Sequence, residues 1–324
     1  MAGLIIKNKT MVKSIGIDVS KEKLDLGLIK EDQTTISLQF ANNQAGIPSL
    51  VETLKEYQEK IEDIPIVIEA TGGYHYGITF SLMEKGFRRV LVINPIITKK
   101  HLSSQIRKIK TDKKDALLLA RIGLLEELNT YAESKKEVLF KRKVRLFHFL
   151  KKQLQQISNR ISSVRSLALE NNEFEKEILE ETKTDLKVKL EKVKKEILNS
   201  VTINYKIVGV SELHLKAIAA ELGNLERFNN HKQVIAFAGI DPSIKESGTS
   251  IRGRSCLSKR GSKTLRHFLY QSAWGVIMHN PKYREYYSKK RAEKKHYYTC
   301  LSAVARKLLC EIYFNLKEQP YYIQ

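Results

Sequence analysis

Residues 110–121, Lys-Thr-Asp-Lys-Lys-Asp-Ala-Leu-Leu-Leu-Ala-Arg, place two carboxylates at the start of a predicted helix. Thr111 or Asp112 can cap this helix, and the apolar run from Ala116 to Ala120 predicts a buried face. Asp112 and Asp115 are three residues apart, so they share one face of the first turn. Two carboxylates this close repel each other unless a proton or a cation lies between them. The pair therefore has two interpretations, helix capping favoured by the macrodipole and a metal site.

The chain before this helix predicts a mixed sheet with helices on its faces. Hydrophobic alternation and turn residues predict strands over residues 14–19, 24–29, 35–40, 64–68 and 89–93, and helices over 44–60, over 74–85 and from Asn94 onward. The first three strands are closely spaced, which is typical of an antiparallel meander. The later strands alternate with helices, so the N-terminal fold class is α/β.

Two further acids, Asp18 and Glu69, each end a predicted strand. If the first strand is central and the fourth is its parallel neighbour, both carboxylates converge at one edge of the sheet, where ligands of such sheets bind. The helix carrying Asp112 and Asp115 could complete a cluster of four acids, which suits Mg²⁺. Two such ions can stabilise the attacking and leaving oxygens of phosphoryl transfer. Either strand-end acid taken singly is equally well explained as a turn cap.

Composition and charge narrow the class of partner. The 324 residues suffice for about two domains. Lys and Arg number 57 against 36 Asp and Glu, a formal charge of +21 that indicates a polyphosphate partner such as DNA. The basic residues are spread along the chain rather than gathered on one amphipathic helix, which argues against a membrane surface. Without an apolar run of ~20 residues or a signal peptide, we expect a cytoplasmic, nucleoid-associated protein. Residues 1–10 are interpreted as a tail or an upstream start before Met11.

The cysteines give no sign of a zinc site or a disulfide framework. They are Cys256, Cys300 and Cys310. Their spacing is unlike that of zinc ligands, and their number is odd. Neither a structural zinc nor a set of disulfides is therefore expected.

Residues 134–200 change character, because glycine and proline are absent and an apolar stripe recurs at steps of three and four. The stripe runs through Phe147, Leu150, Leu154, Ile157, Ile161, Val164 and Ala168 and resumes at Leu186, Leu190, Val193 and Ile197. Asn171 and Asn172 interrupt it. This pattern predicts two long helices that form an antiparallel coiled-coil hairpin or a dimerising arm. Its charges are either a solvated face or an RNA-binding surface.

The last third predicts a mainly helical domain around one informative loop. Helices are predicted over residues 211–222 and 231–238 and after Ser262. The loop between them, residues 239–261, is rich in serine, and the candidate nucleic-acid ligands in and after it are Arg252, Arg254, Lys259, Arg260, Lys263 and Arg266. Trp274, Tyr283, Tyr286 and Tyr287 are open to two interpretations, core packing and nucleic-acid contact.

The acidic motifs together carry a resemblance to a known family. Gly16-Ile-Asp18-Val-Ser20, Glu69-Ala-Thr-Gly-Gly-Tyr74 and Lys110-Thr-Asp112-Lys-Lys-Asp115-Ala resemble the acidic motifs of the DEDD insertion-sequence transposases, the IS110 family. The resemblance implies a ribonuclease-H-like, RuvC-like domain in which Asp18, Glu69, Asp112 and Asp115 are catalytic and bind Mg²⁺. It also implies that Ile207-Val-Gly209-Val210 and the helix after it belong to a helix-hairpin-helix-like segment.

The same resemblance implies a serine nucleophile. Ser247-Gly248, followed by Ser258-Lys-Arg-Gly261 and Leu265-Arg266, is similar to the family's serine motif. Glu246 departs from the small residue usual before that serine, which leaves Ser243 and Ser250 as alternatives. The family further implies a covalent serine–DNA step and a structured guide RNA as partner. Because the acids and the serine lie in separate predicted domains, we expect a homo-oligomer, a dimer or a tetramer on DNA, in which they come from different protomers.

The predicted organisation is residues 1–130 as catalytic domain, 131–203 as helical hairpin and 204–324 as transposase domain with the serine loop. Three other functions remain open. A sugar-kinase-like ATPase shares the sheet pattern, but Ser20 and Lys21 stand where its Gly-rich phosphate turn would be. A junction endonuclease would need no serine. A non-catalytic nucleic-acid-binding protein would explain the charge but not the acids.

Overall fold

A computed structural model describes residues 11–57, 63–103, 112–125, 133–166, 173–243, 246–247, 251–252, 256–258 and 261–323. The chain divides into two compact units, residues 1–134 and 135–324. The three-part division drawn from the sequence, with boundaries after residues 130 and 203, stays a prediction.

The first unit is built on a five-stranded mixed sheet. Its strands are β1 (Val12–Val19), β2 (Lys23–Lys30), β3 (Thr35–Ala41), β4 (Ile66–Glu69) and β5 (Val90–Ile93). The order across the sheet is β3-β2-β1-β4-β5. β1, β2 and β3 are antiparallel neighbours, whereas β1 pairs parallel with β4 and β4 pairs parallel with β5. The predicted meander, the central first strand and its parallel neighbour are confirmed.

Helices pack on both faces of this sheet. They are α1 (Gly46–Tyr57), α2 (Tyr76–Glu84), α3 (Pro95–Ser103) and α4 (Asp112–Leu125). Side chains alternate along a strand, so Ile15 and Ile17 of β1 lie in the core beneath α1 and α2. The opposite face carries Val67, Leu91 and Ile93, which pack against Leu118, Leu119 and Ile122 of α4. Because α4 covers this face of the sheet, its position determines which side chains lie near the ends of β1 and β4.

The close approach of α4 depends on two glycines. Gly16 of β1 pairs with Gly27 of β2, so this patch of the sheet has no side chains. A Cβ atom on Gly16 would lie 2.0 Å from the Ala116 carbonyl oxygen, and one on Gly27 would lie 2.8 Å from the Leu117 nitrogen. The Ser14 hydroxyl donates a hydrogen bond of 2.7 Å to the Ala120 carbonyl oxygen. The backbone of α4 therefore rests directly on the backbone of the two strands.

The second unit opens with two long helices, α5 (Lys135–Ser166) and α6 (Glu173–Ser200). Ion pairs join Lys143 to Glu196 at 3.0 Å and Arg160 to Glu175 at 2.7 Å, and these pairings require an antiparallel arrangement. The predicted stripe faces inward, with Ile161, Val164 and Ile197 buried among its members. The antiparallel hairpin is confirmed, and its heptad coiled-coil geometry remains a prediction. Asn171 and Asn172 lie outside the described residues.

The rest of the second unit is mainly helical, as predicted. It contains α7 (Glu212–Leu222), α8 (His231–Ala238), α9 (Lys263–His279), α10 (Pro281–Ala292) and α11 (Tyr297–Glu318). Short strands β6 (Val201–Thr202) and β11 (Tyr322–Ile323) pair with each other. α9 packs against both α7 and α11, and Val304, Leu308 and Ile312 of α11 are fully buried in the resulting core. No helix within the described ranges is long and apolar enough to cross a bilayer.

The turn before α7 packs on α9 through glycines. Gly209 has a φ of +92°, and a Cβ atom there would lie 2.5 Å from the Gly275 carbonyl oxygen. The Val210 amide donates to the Ile207 carbonyl oxygen at 2.9 Å and closes the turn. Gly209 thus serves close backbone packing, and the helix-hairpin-helix interpretation of this segment stays a prediction.

Candidate active site

Acidic side chains from neighbouring strands lie on the face of the sheet that α4 covers. Residues two apart on a strand lie on the same face of the sheet. Asp18 lies two residues after Gly16, which touches α4, and Glu69 lies two residues after Val67, which packs against α4. Ile17 pairs with Ile68, so the next positions, Asp18 and Glu69, are neighbours at the carboxyl ends of two parallel strands. The two acids therefore share both an edge and a face of the sheet.

The first turn of α4 adds a third acid. Asp115 directly precedes Ala116, whose carbonyl oxygen lies against Gly16, two residues before Asp18. Asp115 is partly buried. The glycine contact that seats α4 on the sheet thus also brings Asp115 toward Asp18. Asp112 is the first residue of the same helix, and its side chain lies outside the described part of the structure.

Burial and the neighbouring acids raise the pKa of the Asp18 carboxyl. Burial, followed by the negative charges of Asp115 and Glu69, raises the pKa of the Asp18 carboxyl from 3.8 to about 6. The Val19 backbone amide opposes the shift by hydrogen bonding to the carboxylate, and Asp25 adds a smaller like-charge contribution. A carboxylate whose ionisation is opposed by two neighbouring carboxylates stands where a cation would be favoured.

Asp25 is an acid that the sequence analysis missed. It lies on β2 directly opposite Asp18, and only 4% of its surface is exposed. Gln39 Nε2 donates a hydrogen bond of 2.8 Å to Asp25 Oδ1. The sequence contained one signal for this acid. Asp25 lies two residues before Gly27 on the same strand, so both lie on the face that α4 covers.

In the second unit, the predicted serine loop contains paired strands. β7 (Pro242–Ser243) pairs with β10 (Cys256–Leu257), and between them β8 (Glu246–Ser247) pairs with β9 (Ile251–Arg252). We call the paired strands β7 to β10, together with Asp241 and Ser258, the serine hairpin. The Ser258 hydroxyl donates to the Asp241 carboxylate, and the Ser258 amide donates to the Asp241 carbonyl oxygen at 3.0 Å, which closes the base. Ser247 lies in the inner pair of strands, opposite Ile251.

Ser262, which follows the serine hairpin and caps α9, bonds to an ion pair of which only the acid is buried. Glu221 of α7 is 1% exposed and binds Arg145 of α5, with 2.8 Å between Nε and Oε1 and 3.1 Å between Nη2 and Oε2. The Ser262 hydroxyl donates to Glu221 Oε2 at 2.8 Å and caps α9 by accepting from the Leu265 amide. The start of α9 is therefore joined through Glu221 to α7 and α5.

Comparisons with known families match sequence in both compact units. A family model described as a DEDD transposase of the IS110 type matches residues 15–170, which include all four predicted acids. A second model, described as the IS116/IS110/IS902 transposase family, matches residues 205–288, which include Ser247. The chain belongs to the IS110 family of transposases. At this level its activity is transposase-type DNA recombination, the cleavage and rejoining of DNA.

Two of the similar curated proteins match nearly the whole length of the transposase. The pilin gene-inverting proteins of Moraxella bovis and Moraxella lacunata are each 25% identical over 316 residues, which cover 94% of this chain and 95% of theirs. An insertion element IS110 protein of 43.6 kDa from Streptomyces coelicolor is 26% identical over 114 residues, 35% of this chain and 28% of its own length.

The predicted site residues of the transposase are divided between its two compact units. In the first unit, Asp115 and Glu69 lie near enough to Asp18 to act on it electrostatically, whereas Ser247 belongs to the second unit. Among the predicted nucleic-acid ligands, Lys263 is exposed, and Arg266 is partly buried, with its Nη1 donating to two backbone carbonyl oxygens. Arg252 lies in β9. Outside the described residues lie Ser250, Arg254, Lys259 and Arg260.

The chemistry of these acidic side chains suits the binding of a divalent cation. Carboxylate oxygens are the ligands that Mg²⁺ prefers. Such an ion would relieve the repulsion from Asp115 and Glu69 that, after burial, raises the pKa of Asp18. Among the described side chains, no three His, Cys, Asp or Glu residues stand as a ready metal-binding group. The Asp112 side chain is not among these, so the predicted set of four is taken up below as a proposal.

Proposed function

We propose that this transposase cleaves and exchanges DNA strands with Ser247 as nucleophile and Mg²⁺ held by Asp18, Glu69, Asp112 and Asp115. One observation carries the proposal: the carboxylates of Asp115 and Glu69 lie close enough to Asp18 to help raise its pKa to about 6. Structural acids are seldom gathered this way without a compensating charge. The strand order, with three antiparallel strands followed by two parallel ones, supports a ribonuclease-H-like first unit.

The acids hold and orient the reacting groups in this proposal. When bound, Mg²⁺ supplies the positive charge that neutralises a DNA phosphate and stabilises the leaving oxygen. Asp18 and Glu69, at the ends of β1 and β4, would bind the ion together with Asp112 and Asp115 in the first turn of α4. Asp25, hydrogen-bonded to Gln39, would keep the Asp18 side of the site negative without itself touching the DNA.

The serine then carries the strand between its two partners. Ser247 Oγ attacks a backbone phosphorus, the phosphorus–oxygen bond to one sugar breaks, and the released sugar oxygen takes the serine proton. The product is a serine–DNA phosphodiester with a free hydroxyl on the departing strand. The hydroxyl of a second strand attacks the same phosphorus in the next step, which reforms a DNA backbone bond and frees Ser247.

The partners follow from charge and from family membership. A formal charge of +21 supports the binding of long polyanions, and we propose a structured guide RNA besides the DNA. Because the acids and Ser247 belong to different compact units, we further propose that they act together in a homo-oligomer, a dimer or a tetramer on DNA.

The test is recovery of a covalent protein–DNA adduct. The purified protein is incubated with Mg²⁺ and nicked element-end DNA, denatured, digested with protease, and the DNA-linked peptide is identified by mass spectrometry. We expect the DNA on Ser247. Ser247→Ala should abolish the adduct, whereas Ser243→Ala, in the outer strand pair of the same hairpin, is the matched control and should retain it.

Other outcomes would each replace part of the mechanism. Attachment to Ser243 or Ser250 would reassign the nucleophile. Cleavage without an adduct, undiminished in Ser247→Ala, would make the protein a junction endonuclease. An adduct that forms equally well in Asp18→Asn would remove the acids from the reaction.

A further inference from the structure

Aromatic side chains are exposed where α9, α10 and α11 meet in the second unit. Trp274 of α9 is 42% exposed, and its ring centroid lies 6.0 Å from that of Tyr287 of α10. Tyr297 and Tyr298 begin α11 with ring centroids 4.0 Å apart, and Tyr298 is 58% exposed. Tyr287 is also near enough to Tyr297 to interact with it electrostatically.

His296 extends this group, because its ring stacks on Tyr298 with a centroid distance of 5.7 Å and an interplanar angle of 21°. We call Trp274, Tyr287, His296, Tyr297 and Tyr298 the aromatic surface. The exposure of this surface does not result from poor core packing, because α10 and α11 bury Tyr283, Leu301 and Val304 almost completely. Four of these five rings are exposed, and Tyr287 is partly buried against the core. Such a group of rings on a well-packed unit indicates an interaction site.

The segment that carries most of these rings is strongly basic. Residues 281–298 contain seven Lys and Arg against two Glu. One of those acids, Glu293, is already held by Lys290 at 2.8 Å and Lys295 at 2.6 Å. Lys282, Lys289 and Lys294 are exposed and form no ion pair with the described part of the chain. The aromatic surface therefore stands beside uncompensated positive charge.

We propose that the aromatic surface binds an unpaired DNA strand. Bases would stack on the exposed rings, and the phosphates would contact the neighbouring lysines, as in single-strand-binding surfaces generally. A duplex hides the faces of its bases, so exposed rings add little to duplex binding, whereas they add much to the binding of a single strand. The inference rests on the proposed function in one respect, that strand exchange separates a cut strand from its complement.

The chain offers a direct probe, because Trp274 is its single tryptophan. Full-length protein is titrated with oligothymidylate, which has no pairing of its own, and tryptophan emission is followed. Stacking on or beside Trp274 should change that emission in a saturable way. The same affinities are measured with a labelled oligothymidylate, a labelled DNA duplex and an oligouridylate of equal length.

Substitutions of aromatic residues then test whether single strands bind by stacking. Tyr298→Leu should weaken oligothymidylate binding by about tenfold, the loss of one base–aromatic stack, and leave duplex binding unchanged. Tyr298→Phe should bind like the wild type. The matched control is Phe314→Leu, on the same helix and 50% exposed but placed beside His231, which should also bind like the wild type.

Each contrary outcome overturns the proposal. Unchanged oligothymidylate affinity in Tyr298→Leu, equal losses for single strand and duplex, or constant tryptophan emission would each exclude a stacking surface. Preference for oligouridylate, lost in Tyr298→Leu, would make the partner RNA instead of DNA. The proposed nucleophile is tested apart from this, because Ser247→Ala should form no adduct and yet bind oligothymidylate like the wild type.

Discussion

At the scale of single residues, Asp18 determines the electrostatics of the candidate site. Its carboxyl is half-buried and faces two like charges, so its pKa is about 6 in the folded protein and 3.8 in the unfolded chain. The folded state therefore binds more protons between these two pH values, and the stability contributed by this group falls as the pH rises through the window. Above it, the ionised Asp18 destabilises the metal-free protein.

Asp18→Asn should consequently stabilise the metal-free protein by about 1 kcal/mol at neutral pH, allowing for solvent screening, while abolishing the covalent adduct. Urea unfolding in the presence of a chelator, above and below the pH window, measures the difference, which should vanish below pH 3.8. Asp63→Asn serves as control, since Asp63 is exposed and paired with Arg88 at 3.1 Å. A less stable Asp18→Asn protein at neutral pH would contradict the described clustering.

At the scale of elements, the contact between α4 and the sheet places an acid that the strands cannot supply. The contact requires Gly16 and Gly27 to face each other across β1 and β2, because a methyl group at either position would meet the backbone of α4. This contact, together with the packing of α4 on Val67, Leu91 and Ile93, carries Asp115 toward the strand ends. The geometry of the acid cluster is thus a property of helix packing.

Gly27→Ala should therefore destabilise the first unit by about 2 kcal/mol through overpacking, and it should also displace Asp115 from Asp18. The second effect would lower the pKa of Asp18 toward its ordinary value, which carboxyl-carbon NMR titration can follow. Gly77→Ala is the matched control, because its Cβ would meet only the flexible end of Ile47, at 3.0 Å, and alanine favours the helix. An unchanged Asp18 titration in Gly27→Ala would separate the cluster from the glycine contact.

At the scale of the whole molecule, the proposed reaction needs groups from two compact units. If acids and serine act across protomers, mixing Asp18→Asn chains with Ser247→Ala chains creates one composite site with intact acids and an intact serine. Each variant alone should form no adduct, and the mixture should restore it. Tagging the two chains by size shows which one carries DNA, and we expect it on the Asp18→Asn chain. Failure to restore the adduct in mixed oligomers would require both parts of the site to come from one protomer.

Much of this protein was predictable from local patterns. The order of elements, the central position of β1 beside a parallel β4, the antiparallel hairpin of α5 and α6 and the family membership all followed from periodicity, turn residues and motifs. These features depend on residues near one another in the chain, where the spacing of side chains directly determines which face is apolar.

The meeting of distant groups was decided by the tertiary structure. Asp25 enters the acid cluster because a strand pairing sets it opposite Asp18, and Asp115 enters it because two glycines on different strands admit a helix. The pairing of β7 with β10 and of β8 with β9 inside a segment predicted as a loop likewise arises from contacts across the chain. Such contacts depend on packing and burial, which the order of residues along the chain does not reveal until the backbone has folded.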